Sequence, residues 1–125
     1  MARTKLLIAD DEEGIRSLIR MTLTADSYDI LEASDGDEAL EMAREHLPQL
    51  LFLDVRMPRR SGFEVCRILK EDTRTSSITI VMLTAQAQDS NREEGEAAGA
   101  DGYFTKPFSP MALLETVDSV LSARG

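Results

Sequence analysis

The sequence predicts an α/β fold, one domain whose parallel sheet is covered by helices on both faces. Three observations carry this expectation. Strand-like and helix-like stretches alternate along the chain. The strand-like stretches are mostly continuous apolar runs, as strands buried on both faces are. The length of 125 residues suits a single domain with a real core, not two. The domain is taken as residues 1–125.

The elements follow in order. "KLLIA" is a buried first strand that runs into Asp10-Asp11. In the first helix, Ile15, Leu18, Ile19 and Leu23 share one face. "YDILEA", from Tyr28, alternates more and reads as a strand nearer an edge. The second helix opens with Ser34, followed three places on by Asp37, and carries Ala39, Leu40 and Ala43. "LLFLD" is the third strand and ends on Asp54. The third helix opens "SGFE", where Ser61 and Glu64 make a capping box and Phe63, Cys66 and Leu69 face inward.

"ITIVMLT", Ile78 to Thr84, is the fourth strand. The next helical stretch, "DSNREEGEAAGA", has Asp89 as its cap, Gly95 inside and only alanines to bury. So little apolar surface holds a helix weakly. "GYFT", from Gly102, reads as a short buried fifth strand that leads to Lys106-Pro107. The last helix has Ser109 as cap and Pro110 at its first position, with Leu113, Leu114, Val117 and Leu121 behind. Five right-handed strand–helix units, a (βα)5 arrangement, account for the whole chain. Ligands of such sheets bind beyond the carboxyl ends of the strands, where strand order reverses.

Composition narrows the function. The formal charge is −9, from 23 acidic and 14 basic residues, which argues against nucleic-acid binding by this chain and against anionic lipid. No apolar run approaches a membrane span, and "MARTKLLIADDEEG" does not read as a secretory signal. Cys66 is the only cysteine, which fits a reducing cytoplasm, and His46 is the only histidine, which excludes multi-histidine metal sites.

Read together, the strand ends bring Asp10, Asp11, Asp54, Thr84 and Lys106 to one crevice. Singly, each has an ordinary explanation: Asp11 as a helix cap, Thr84 as a strand former, Lys106 as a loop charge. Their joint placement at one edge is harder to explain that way. Crowded carboxylates raise one another's pKa values unless cations compensate. Lys106 supplies one charge, and a hard oxygen-seeking ion such as Mg²⁺ suits the rest. With that charge neutralised, a carboxylate is a competent nucleophile toward phosphorus. Asp54, driven to the tip of a core strand, is placed to be phosphorylated.

"LLIADDEEG", "LFLDVRMPRRSGFEV", "ITIVMLTA" and "GADGYFTKPFSP" resemble, in order and spacing, the response-regulator receiver domains of two-component signalling, the group that includes the chemotaxis response protein. The resemblance covers essentially the whole chain. It implies a flavodoxin-like strand order 2-1-3-4-5, an order for which this group is a standing example. It also implies that Asp54 is the phosphoacceptor. Asp11 and Asp54 would ligate Mg²⁺, with Asp10 helping through water and the Arg56 backbone carbonyl completing the protein ligands. Lys106 would bind a phosphoryl oxygen, and Thr84 would take another after activation. Tyr103 matches the aromatic that turns inward when Thr84 moves, and Pro107 the residue after a cis peptide.

The implied donor is a phosphohistidine on a sensor histidine kinase or a histidine phosphotransfer protein. The output would leave through the fourth helical stretch, the fifth strand and the last helix, toward a downstream protein target or a fused output domain. The chain, ending at "SARG", would be a stand-alone receiver or one cut from a longer protein. The expected role is a signalling switch, not an enzyme, promoting only its own phosphotransfer and autodephosphorylation. Arg56, Arg59 and Arg60 put unusual positive charge beside the site. Three other readings fit less well. A phosphatase of the haloacid-dehalogenase type needs an acid where Arg56 stands. An FMN-binding flavodoxin needs a phosphate-friendly loop where "ADDEEG" stands. A degenerate receiver would not keep all five site residues.

Overall fold

Leu50–Asp54, with every residue buried, forms the centre of the molecule. The computed structural model describes residues 4–23, 28–84, 98–106 and 109–124. In chain order these form β1 (Thr4–Ala9), α1 (Glu13–Leu23), β2 (Tyr28–Ala33), α2 (Gly36–His46), β3 (Leu50–Asp54), α3 (Gly62–Glu71), β4 (Thr79–Thr84), β5 (Gly102–Thr105) and α4 (Pro110–Arg124). The strands make one parallel sheet in the order β2-β1-β3-β4-β5, the order that the resemblance implies. The stretch expected as a weak helix at 89–100 lies largely outside the described residues, as does Pro107.

Alternation along each strand divides the core in two. Leu7, Leu51, Leu53, Ile80 and Met82 point to the face covered by α2 and α3, against Ala39, Leu40, Ala43, Phe63, Cys66 and Leu69. Leu6, Ile8, Leu50, Phe52, Val81 and Leu83 point to the other face, against Ile19 and Leu23 of α1 and Leu113 and Val117 of α4. Burial on both faces is why these strands read as continuous apolar runs.

Several local expectations are corrected. Leu18 and Leu114 are 36% and 37% exposed, because each inward helix stripe is narrower than the spacing suggested. The cap of α2 is Asp35, whose carboxylate accepts the Glu38 N–H at 2.8 Å. Ser34 instead donates its backbone N–H to the Glu38 carboxylate at 2.7 Å. Ser61 does cap α3, yet Glu64 pairs with Arg60 at 2.9 Å rather than closing the box. Finally, β5 is a half-buried edge strand, since the sheet order leaves only β4 beside it.

Candidate functional site at the carboxyl edge of the sheet

From β1 the chain steps to β2 on one side, then returns to β3 on the other. That reversal opens a crevice between the ends of β1 and β3. Ala9 is in register with Leu53, so Asp10 follows β1 beside Asp54 at the end of β3. Thr84 ends β4 opposite Thr105, and the Lys106 N–H donates to the Thr84 carbonyl at 2.7 Å. The side chains of Asp10, Asp54 and Lys106 meet in this crevice.

Asp10 is wholly buried. Its Oδ1 accepts the Glu12 N–H at 2.9 Å, and its carbonyl accepts Arg16 Nη1 at 2.8 Å. Its buried Oδ2 receives no aligned hydrogen bond but lies 2.8 Å from Lys106 Nζ. Lys106 also stands 3.5 Å from Asp54 Oδ1 and 3.4 Å from Glu12 Oε1. One ammonium thus serves three carboxylates. Burial lowers the Lys106 pKa, but the Asp10, Asp54 and Glu12 carboxylates outweigh it and the net shift is upward.

Asp54 is 5% exposed and accepts the Arg56 N–H at 3.4 Å. Burial, and then the Asp10 charge, push its carboxyl up to about 7, with a smaller push from Asp11. Lys106 and the Arg56 N–H pull it down and do not win. Without another cation this carboxylate is therefore part-protonated near neutrality.

The donor set fits a hard divalent ion. Carboxylate oxygens of Asp10, Asp11 and Glu12 all lie within 4.8 Å of one another, and Asp10 Oδ2 is a buried acceptor with no aligned hydrogen bond. Asp11 and Glu12 are exposed, so the cluster opens to solvent. Glu12 and Arg16 were not singled out in the sequence. Glu12 could have been, as a third acid directly after Asp10-Asp11; Arg16 carries no local signal of its contact with the Asp10 carbonyl.

The other site residues fall around this centre. Thr84 is buried at 3% exposure at the β4 end. Tyr103 sits opposite Met82 and packs, half-buried, against the core beneath α2 and α3. The Arg56 side chain is exposed and lines an open cavity of about 530 Å³ with Asp11, Val55, Met57, Pro58, Ser61 and Phe63. Among the described residues no helix is long and apolar enough to cross a membrane.

Comparison with known proteins agrees with this geometry. Residues 6–118 match the family model described as the response regulator receiver domain. The chain is 44% identical over 118 residues to the transcriptional regulatory protein ResD of Bacillus subtilis, covering 94% of this chain and 48% of that protein. It is 41% identical over 117 residues to the alkaline phosphatase synthesis transcriptional regulatory protein PhoP of the same organism, covering 94% and 48%. The chain spans about half the length of the curated relatives it matches. Among solved structures, the chemotaxis response regulator CheY4 of Vibrio cholerae superposes with a TM-score of 0.88 at 34% identity, covering 95% of this chain and 99% of that one. Receiver domains bind Mg²⁺ at an acidic cluster, and here Asp10, Asp11 and Glu12 form one. The chain belongs to the response regulator receiver domains, the phosphoaccepting modules of two-component signalling.

Proposed function

We propose that Asp54 is the phosphoacceptor and that its donor is a phosphohistidine of a sensor histidine kinase or histidine phosphotransfer protein. The observation that carries this reading is Lys106 Nζ at 3.5 Å from Asp54 Oδ1, on the only strand-end carboxylate that the core drives into the crevice from β3. An Asp54 carboxylate oxygen forms the O–P bond as the P–N bond of a phosphohistidine protonated on its other ring nitrogen breaks, so that neutral imidazole leaves. Lys106 exchanges part of its contact with Asp10 and Asp54 for a phosphoryl oxygen.

Asp10, Asp11, Asp54 and the Arg56 carbonyl would hold Mg²⁺, which when bound neutralises the clustered carboxylates and the incoming phosphoryl oxygens. Thr84 takes a second phosphoryl oxygen through its hydroxyl, and Tyr103 turns inward behind it. That movement reshapes the surface of β5 and α4, where a downstream protein or fused output domain reads it. The relatives of about twice this length are named as transcriptional regulators, which supports an output segment acting on transcription rather than nucleic-acid binding by this acidic chain. The chain acts as a switch and promotes only its own phosphotransfer and dephosphorylation, in the cytoplasm.

Acetyl phosphate with Mg²⁺ tests the assignment. The parent should gain one acid-stable, base-labile phosphoryl group, and Asp54→Asn should gain none, because an amide is a far poorer nucleophile. Equal labelling of the two would remove Asp54 from this role.

A further inference from the structure

The loop between β3 and α3 carries Arg56 and closes tightly on itself. The Gly62 N–H donates to the Val55 carbonyl at 2.8 Å. A Cβ at Gly62 would stand 2.1 Å from the Asp54 carbonyl oxygen, so only glycine permits that closure. The far side of the loop, Pro58 to Arg60, rests on the first turn of α2.

Backbone and side chains both make that contact. The Gly36 N–H donates to the Pro58 carbonyl at 3.1 Å, and the same carbonyl accepts the Arg60 N–H at 2.9 Å. A Cβ at Gly36 would lie 2.3 Å from the Arg60 carbonyl oxygen and 2.6 Å from its Cβ, so the two backbones touch. Arg60 then bridges the two helices, with Nε 2.8 Å from Asp37 Oδ1 on α2 and Nη1 2.9 Å from Glu64 Oε2 on α3. Arg59 adds a longer pair to Asp35 at 3.6 Å and holds a left-handed φ of 73°, a conformation that persists in a bulky residue only when its surroundings impose it.

We propose that the N-terminus of α2 braces the β3–α3 loop, and that Gly36, Asp37 and Arg60 are positioning residues for the Arg56 carbonyl and the Asp54 carboxylate. This rests on the metal and phosphoacceptor roles proposed above. Exposed ion pairs such as Arg60–Asp37 contribute little to global stability. What they can do is hold a loop in one place. Mg²⁺ demands near-ideal octahedral geometry, so a loop that drifts loses affinity for the ion before the fold is lost.

The test is Mg²⁺ titration of the chain by calorimetry, with amide chemical shifts of residues 55–62 recorded without metal. Gly36→Ala should weaken Mg²⁺ tenfold or more and shift the 55–62 amides even in the metal-free protein. Gly14→Ala is the matched control: a Cβ there meets nothing within 4 Å, so its Mg²⁺ affinity should equal the parent's. Should Gly36→Ala lose its far-ultraviolet dichroism, Arg60→Ala and Asp37→Ala carry the test. Each should weaken Mg²⁺ about threefold at low salt, and the double variant no more than either alone, as coupled partners behave. A folded Gly36→Ala within twofold of the parent overturns the brace, as do Arg60→Ala and Asp37→Ala within 1.5-fold. Asp11→Ala separates the two readings. If that variant also binds Mg²⁺ like the parent, it is the metal assignment that fails.

Discussion

Asp10 Oδ2 and Lys106 Nζ stand 2.8 Å apart, tying the end of β1 to the end of β5 across the mouth of the crevice. Asp10 is wholly buried, and the lysine is the cation nearest its Oδ2. Removing one partner of such a pair leaves a buried charge uncompensated, at a cost of about 3–5 kcal/mol. Lys106→Ala should therefore lower the stability of the metal-free protein by an amount near the bottom of that range. Urea titration would show it, and saturating Mg²⁺ should restore part of the loss. The variant should still accept phosphate to some degree while failing to pass the change on to the β5–α4 surface.

Asp54 should contribute its own pH dependence to the metal-free fold. Its carboxyl is raised from 3.8 to about 7 by burial and by Asp10. Below pH 4 it is protonated in folded and unfolded chains alike and costs nothing. Between about pH 4 and 7 the folded chain keeps a proton that the unfolded chain has released, so stability falls as pH rises and levels off above 7. The loss through this group is on the order of 4 kcal/mol. Asp54→Asn should remove that slope and leave the metal-free protein more stable than the parent at pH 7.5. A slope unchanged in the variant would mean another group is responsible.

Mg²⁺ should raise the melting temperature of the parent, because it binds the folded chain and not the unfolded one. At a hundred times the dissociation constant the gain is about 2.7 kcal/mol. Asp11→Ala should abolish the one-site calorimetric signal, while Glu12→Ala should weaken it and free Lys106 from its 3.4 Å contact.

Arg56 should tune how long the phosphoryl group lasts. The exposed side chain lines the cavity with Asp11, two residues on from Asp54, and would stand where water attacking the phosphoryl group approaches. Shielding of that water predicts faster hydrolysis in Arg56→Ala. Decay within twofold of the parent would show that the side chain points away from the attacking water.

Leu47 offers a stability test far from the chemistry. It ends α2 in the left-handed conformation, φ 49°, and its N–H still donates to the Ala43 carbonyl at 3.0 Å. The side chain is half-exposed, so little burial is lost on its removal. Leu47→Gly should stabilise by about 0.5–1 kcal/mol, since glycine takes this position without steric cost. Thermal melting at fixed pH would measure it.

Much of this was legible in the sequence, and for a physical reason. Burial on both sheet faces leaves a continuous apolar run, so β1, β3 and β4 could be read directly, and a carboxylate at the tip of such a run is conspicuous. Asp10, Asp11, Asp54, Thr84 and Lys106 can therefore be placed together from the sequence, because strand ends in a parallel sheet share one edge. What is shared between elements was not visible. Whether Ser34 or Asp35 caps α2 depends on where β2 stops, which its pairing of Ala33 with Ala9 decides. Whether Leu18 and Leu114 are covered depends on how α1 and α4 sit on the sheet. Glu64 turned from its own cap to Arg60, and Arg60 reached Asp37 twenty-three residues earlier, because α2 and α3 lie side by side on one face. Local sequence sets strand, helix and strand-end chemistry through periodicity and desolvation. Only the packed fold decides which distant backbone, glycine or charge closes on the loop that holds Arg56.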